Sequence, residues 1–63
     1  LKDWKGSALN GSWTALLAGE VNFPVVMQEL RRAGYTGPLV SEVAPSLASY
    51  ADTASAMRKI AAM

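Results

Sequence analysis

The chain lacks the residues that usually staple a small domain together. It has neither cysteine nor histidine among its 63 residues, which excludes disulfides and a structural zinc site with the usual ligands. A chain of this length buries only about 60% of the surface that its unfolded form exposes, so its own core is marginal. The absence of cysteine agrees with a reducing, cytoplasmic location.

Charged residues and long apolar runs are also scarce. Charged residues make up 17% of the chain, the net charge is +1, and no basic cluster is longer than two residues, which argues against a nucleic-acid partner. We expect no membrane partner and no signal peptide, because no apolar run approaches the roughly 18 residues of a membrane span. Hydrophobic residues make up 51% of the chain, which excludes an intrinsically disordered tail.

The chain begins with Leu1-Lys2-Asp3, in the pattern of a strand end and without an initiator methionine or a helix cap. An apolar-rich segment without disulfides or a structural metal site is what a fragment of a larger hydrophobic core would contain. We therefore expect the chain to be part of a larger protein and to be incomplete as a domain.

The segment 3–21 is predicted to be a long loop. It holds three glycines, Asn10 and both tryptophans, a composition typical of a loop but not of a glycine-rich phosphate cradle. A loop of this length in a compact domain is more often functional than not. Within it, residues 13–17 are expected to form a short turn of helix.

A first helix is predicted from Phe23 to Ala33. Asn22 precedes it as an N-cap, and Pro24 lies in the first turn, where a missing N–H has no consequence. Gly34 is expected to end the helix in the left-handed conformation. The predicted apolar stripe, at helical spacing, consists of Phe23, Val26, Met27, Leu30 and Ala33.

A second helix is predicted from about Tyr50 to Ala61, after a capping-box-like start in which Asp52 follows Ser49 by three residues. Its predicted apolar stripe consists of Tyr50, Thr53, Ala54, Met57, Ile60 and Ala61.

Between the helices, Leu39–Val43 has the pattern of a short strand. Alternation places Leu39, Ser41 and Val43 on one face, and Val40 and Glu42 on the other. Strand end, loop, helix, strand and helix in this order predict an α/β fold with parallel strands and right-handed crossovers. Two strands do not make a stable parallel sheet, so the pattern favours two βα units of a barrel or a doubly wound sheet.

Glu42 is the most informative candidate for chemistry. It lies near the C-terminal end of the predicted strand, where ligands and catalytic groups gather in α/β folds. A carboxylate there suits a divalent metal or general acid/base catalysis. The alternative is a solvated glutamate at a strand end.

Four further residues are candidates for substrate binding. Lys2 and Asp3 end the earlier strand, where a lysine can hold an anionic or hydroxyl-rich substrate and an aspartate can orient it. Trp4 and Trp13 can wall a carbohydrate site with their aromatic faces. The alternatives are a surface charge pair and a pair of indoles that anchor the loop.

Several segments, in this order, carry a family pattern: Lys2-Asp3, Gly19-Glu20-Val21-Asn22-Phe23-Pro24, Leu30, Gly34-Tyr35-Thr36-Gly37-Pro38-Leu39-Val40 and Glu42. Over nearly the whole chain they resemble the C-terminal end of the sugar phosphate isomerases/epimerases, which are xylose-isomerase-like TIM barrels. That family typically ends with a His-x-Lys-Asp strand, a loop, a Gly-Glu-x-Asp-Phe helix start, and Gly-Tyr-x-Gly before a strand that carries a glutamate.

The resemblance implies that residues 1–63 are the seventh and eighth βα units of a (β/α)8 TIM barrel. It implies a metal-dependent enzyme that moves a proton at a carbon next to the carbonyl of a sugar or sugar phosphate. Family members bind a divalent ion (Mn, Mg, Co or Zn) through a Glu, an Asp, a His and a final Glu, and only the last maps here, to Glu42. The His is expected at or just before Leu1 and the other ligands on earlier strands, so this piece alone is expected to be inert.

Other interpretations stay open. A small self-standing α/β interaction module would share only the local pattern. Within the same barrel superfamily, the inosose dehydratase-like and endonuclease IV-like branches are alternatives. The endonuclease branch, which acts on abasic DNA with zinc, needs basic loops, whereas the loop here offers only Lys2 and Lys5. Besides a sugar substrate and the remainder of the barrel, a second copy of the enzyme is an expected partner.

Overall fold

The computed structural model describes all 63 residues and shows a β-hairpin followed by two helices. The four elements are β1 (Asp3–Gly6), β2 (Gly11–Thr14), α1 (Phe23–Arg32) and α2 (Tyr50–Ala61). The chain is therefore a small α/β structure, and its one sheet has two strands.

The hairpin corrects the prediction of a long loop over residues 3–21. β1 and β2 pair antiparallel, with Trp4 opposite Trp13 and Gly6 opposite Gly11. Two of the three glycines that indicated a loop, Gly6 and Gly11, instead flank a four-residue turn. Gly6 takes the left-handed φ of 99° that only glycine adopts without strain. Aromatic and β-branched residues such as Trp13 and Thr14 favour a pleated strand, and this preference outweighs the loop-like composition.

The short helical turn predicted at 13–17 is wrong for its first two residues, which belong to β2. A turn does follow, closed by a hydrogen bond of 3.1 Å from the Ala18 N–H to the Ala15 carbonyl. Leu17 in this turn has a φ of 71°, which rules out a continuing helix.

The first helix and both of its caps are confirmed. The Asn22 side chain accepts a hydrogen bond from the Val25 N–H at 3.3 Å. At the other end Gly34 has a φ of 77°, and the N–H groups of Gly34 and Tyr35 each donate at 3.0 Å to carbonyls of the last turn. This is the Schellman arrangement, which satisfies carbonyls that the helix leaves unpaired.

The second helix is confirmed with the predicted bounds and with Ser49 as its N-cap, whose Oγ accepts the Asp52 N–H at 3.1 Å. Its predicted apolar stripe is only partly right. Ile60 is buried as expected, but Tyr50 is 81% exposed and Ala56, not Ala54, is buried. The face that packs on the core therefore consists of Thr53, Ala56, Met57 and Ile60.

The 39–43 segment does not form a ladder strand, so that prediction is corrected. Its burial nevertheless alternates as expected, with Leu39, Ser41 and Val43 partly buried, and Val40 and Glu42 exposed. The Leu1 nitrogen donates to the Val40 carbonyl, and the Glu42 N–H donates to the Leu1 carbonyl at 3.0 Å.

These two hydrogen bonds have the slanted pattern of a parallel pair, with Leu1 opposite Ser41. The pairing direction is thus the predicted one, but a single residue pair is too short to make a ladder.

The core is small. Only five apolar residues are buried, and partly buried residues from the helices and the 39–43 segment pack around them. Neither helix has the length and apolar character that a bilayer span requires. The buried apolar residues are Leu16, Phe23, Met27, Ala56 and Ile60.

We expect the 63-residue chain by itself to unfold without a sharp cooperative transition. So few buried side chains leave a marginal free energy of unfolding, because the entropy of ordering the chain opposes their burial. Circular dichroism during a urea titration should show a broad transition of low slope. A sharp two-state transition, with an m-value of about 1 kcal/mol/M or more, would contradict this expectation.

Candidate functional site

Lys2 and Glu42 meet at the parallel contact between the N-terminus and the 39–43 segment. Because Leu1 lies opposite Ser41, the next residues along each parallel segment come side by side. The Lys2 Nζ lies 3.3 Å from the Glu42 Oε2, with the side chains 44% and 66% exposed. Because both side chains are this exposed, they stay accessible to a ligand. An exposed ion pair of this kind contributes at most about 1 kcal/mol to stability.

The ring of Trp13 lies beside this ion pair. The Lys2 Nζ is 4.7 Å from the ring centroid, within the range of a cation–π contact. Trp13 in turn packs against Trp4 in an edge-to-face arrangement, with centroids 4.9 Å apart and planes at 83°. Four of the five predicted site residues, Lys2, Trp4, Trp13 and Glu42, thus form one cluster, which we call the Lys2–Glu42 cluster.

Trp4 serves the hairpin as well as the cluster. Its indole N–H donates to the carbonyls of Gly6 at 3.0 Å and Ser7 at 3.3 Å, so it ties the turn back onto β1. This matches the alternative in which the indoles anchor the loop. Trp13 is half exposed and keeps part of its surface free for contact.

Asp3 lies apart from the cluster. It is 1% exposed, and its carboxylate accepts three backbone N–H groups. Its Oδ1 accepts from Trp4 at 2.9 Å and Val21 at 3.1 Å, and its Oδ2 accepts from Gly19 at 3.0 Å. The structure gives Asp3 a structural role that the sequence did not reveal, while its predicted role in substrate binding stays a prediction.

Residues 19–21 run along the edge of β1 that does not pair with β2, and two of them donate the hydrogen bonds to Asp3. The Glu20 N–H donates to the Trp4 carbonyl at 2.7 Å, and the Glu20 Oε1 accepts the Gly6 N–H at 3.3 Å. Gly19 is required here, because a Cβ would meet the Asp3 carboxylate and would lie 2.7 Å from the Trp4 carbonyl oxygen.

The chain does not form a metal centre by itself. It holds no group of three or more His, Cys, Asp or Glu side chains close enough to bind one ion, and it has no enclosed pocket. Asp3 is buried among backbone donors, which leaves Glu42 as the one accessible carboxylate within the Lys2–Glu42 cluster. A divalent ion would therefore need most of its ligands from outside these residues.

We expect Asp3→Asn to loosen the 19–21 segment without disturbing the helices. An asparagine has one acceptor oxygen, so at least one of the three N–H groups loses its partner, which costs about 1–3 kcal/mol. Amide hydrogen exchange should become faster at Gly19 and Val21 and stay unchanged within α2.

The matched control is Asp52→Asn on the exposed first turn of α2, which should leave exchange at residues 19–21 unchanged. Equal exchange rates at Gly19 and Val21 in the wild type and in Asp3→Asn would show that the carboxylate does not hold this segment.

No protein-family model, curated protein or solved structure matches this chain.

Proposed function

We propose that this chain is the seventh and eighth βα units of a TIM barrel like those of the sugar phosphate isomerases/epimerases. The complete enzyme would be a metal-dependent, cytoplasmic isomerase or epimerase. It would transfer a proton at the carbon next to the carbonyl of a sugar or sugar phosphate.

The observation that carries this proposal is the direction of Glu42. Leu39 and Val43 pack toward the helices, whereas Val40, which is 65% exposed, and Glu42 face the opposite side. In a TIM barrel the strand residues that point away from the helices fill the barrel interior or its mouth. Val40 followed two residues later by Glu42 on the same exposed face is the pattern expected at the C-terminal end of a barrel strand. There the apolar side chains of the barrel interior are followed by the polar side chains of the active site.

The parallel pairing gives a second line of support. Lys2 and Glu42 come from neighbouring parallel segments, and both lie at the same level, 3.3 Å apart. Functional groups from successive strands meet in this way at the C-terminal face of a barrel.

The charges of the cluster suit a hydroxylated substrate with a carbonyl. The Lys2 ammonium can donate hydrogen bonds to the carbonyl or hydroxyl oxygens, and Glu42 can accept them or serve as a ligand of the ion. The exposed part of Trp13 offers an apolar surface for the C–H face of a sugar. A bound divalent ion would supply polarisation of the carbonyl, which acidifies the neighbouring carbon.

The apolar surface left exposed also agrees with a larger fold. Several large apolar side chains lie open to solvent, more than a small core can cover. Neighbouring strands and helices of a barrel would bury them. These residues include Leu17, Val21, Val25, Val40 and Leu47.

The sequence that encodes this chain tests the proposal directly. If the proposal is correct, roughly 200 further residues precede Leu1 in the same reading frame and contain alternating strand and helix patterns. A histidine should lie at or just before Leu1. A start codon or an unstructured linker at that position would instead favour the self-standing interaction module.

In the complete enzyme, we expect Glu42→Gln to weaken binding of a divalent ion strongly and to reduce turnover by orders of magnitude. Glutamine keeps the size of the side chain but loses the charge that a hard cation requires. Titration calorimetry with Mn²⁺ on the metal-free enzyme measures the affinity.

Glu29→Gln is the matched control, because Glu29 is also an exposed glutamate in an ion pair, 3.1 Å from Arg32. It should bind Mn²⁺ as the wild type does. Equal affinities for Glu42→Gln and the wild type would end the case for Glu42 as a metal ligand.

A further inference from the structure

The turn of the hairpin carries the only Asn-Gly dipeptide of the chain, Asn10-Gly11. Residues 7–10 are all exposed, and Leu9 at the tip is 94% exposed. The Asn10 N–H donates to the Ser7 Oγ at 3.0 Å, which fixes the turn backbone but leaves the carboxamide of Asn10 in solvent. An asparagine followed by glycine can react with the next backbone nitrogen, because glycine has no side chain to obstruct the approach.

The backbone nitrogen of Gly11 is not held in the β1–β2 ladder. Opposite residues in an antiparallel pair alternate between hydrogen-bonded and non-hydrogen-bonded pairs. Trp4 and Gly6 direct their N–H groups away from β2, to Asp3 and Glu20 respectively, so the pair of Gly6 and Gly11 is of the non-hydrogen-bonded kind.

The carbonyl of Gly6 has a different partner, the indole N–H of Trp4. The Gly11 N–H is therefore free to lose its proton and act as a nucleophile.

The fold also requires glycine at this position. A Cβ at residue 11 would lie 2.6 Å from the carbonyl oxygens of Lys5 and Ser7 and would meet the indole nitrogen of Trp4. All these atoms belong to the hairpin or to the indole that packs against its turn. The tight packing of the turn thus requires a glycine directly after Asn10, and this glycine makes the dipeptide reactive.

We propose that Asn10 is a site of spontaneous deamidation. The Gly11 nitrogen attacks the Asn10 Cγ, the bond from Cγ to the side-chain nitrogen breaks, and ammonia leaves with the proton of the Gly11 N–H. Water then opens the cyclic imide at either carbonyl. Attack at Cγ gives aspartate, and attack at the main-chain carbonyl gives isoaspartate, which carries an additional methylene in the backbone.

The second asparagine provides an internal comparison. The Asn22 side chain is engaged as the cap of α1, and the next N–H, that of Phe23, donates to the Val21 carbonyl at 3.1 Å. Phe23 is also buried, so its backbone nitrogen has neither the freedom nor the access that Gly11 has. The two sites differ in local chemistry within one chain.

Incubation at mildly alkaline pH, followed by peptide mass spectrometry, tests the proposal. The protein is kept under native conditions, digested with trypsin and sequenced in the mass spectrometer, and isoaspartate is detected with a protein isoaspartyl methyltransferase. Both asparagines fall in the tryptic peptide 6–31, which allows their rates to be compared in one spectrum. Asn10 should convert at least an order of magnitude faster than Asn22, with ammonia released in equal amount.

Two variants complete the test. Asn10→Gln should abolish the fast conversion, because a glutamine would have to form a larger ring, and Asn22→Gln should leave it unchanged. Each conversion at Asn10 also lowers the net charge from +1 to zero, so ion exchange provides an independent count. Survival of Asn10 for as long as Asn22 under native conditions would overturn the proposal, as would fast conversion that persists in Asn10→Gln.

Discussion

The buried carboxylate of Asp3 joins the start of the hairpin to a segment sixteen to eighteen residues further along the chain. Its three N–H partners come from β1 itself and from residues 19–21, so one side chain connects the hairpin to the segment that precedes α1. A carboxylate buried without partners would be strongly destabilising, whereas three backbone donors compensate for its lost hydration. Because Asp3 points into this contact, its neighbours Lys2 and Trp4 project elsewhere, and Lys2 reaches the Lys2–Glu42 cluster.

The cluster depends on this arrangement and on one parallel contact. Leu1 pairs with the 39–43 segment, Lys2 then lies beside Glu42, and the pairing of β1 with β2 places Trp13 under the Lys2 ammonium. A hairpin and a parallel contact thus bring three distant segments to one spot. The cluster is open to solvent, and the chain encloses no pocket around it.

The sequence predicted those features that local chemistry determines. Helix caps act over three or four residues, so Asn22, Gly34 and Ser49 marked the helix boundaries correctly. Alternation along Leu39–Val43 predicted which residues face the core, although a single pairing partner is too little for a ladder. The hairpin was missed, because glycines next to a turn and glycines in an irregular loop give the same composition. The role of Asp3 was also missed, since two of its three donors lie sixteen and eighteen residues away and no pattern links them to it.

The edge-to-face pair of Trp4 and Trp13 has an optical consequence. Two indoles with centroids 4.9 Å apart and planes at 83° are close enough for their electronic transitions to couple. Coupled indoles give a pair of circular dichroism bands of opposite sign that depends on their mutual orientation. The two rings come together only when β1 and β2 are paired. The amplitude of this tryptophan signal therefore measures the pairing of β1 with β2, separately from the circular dichroism bands of the helices α1 and α2.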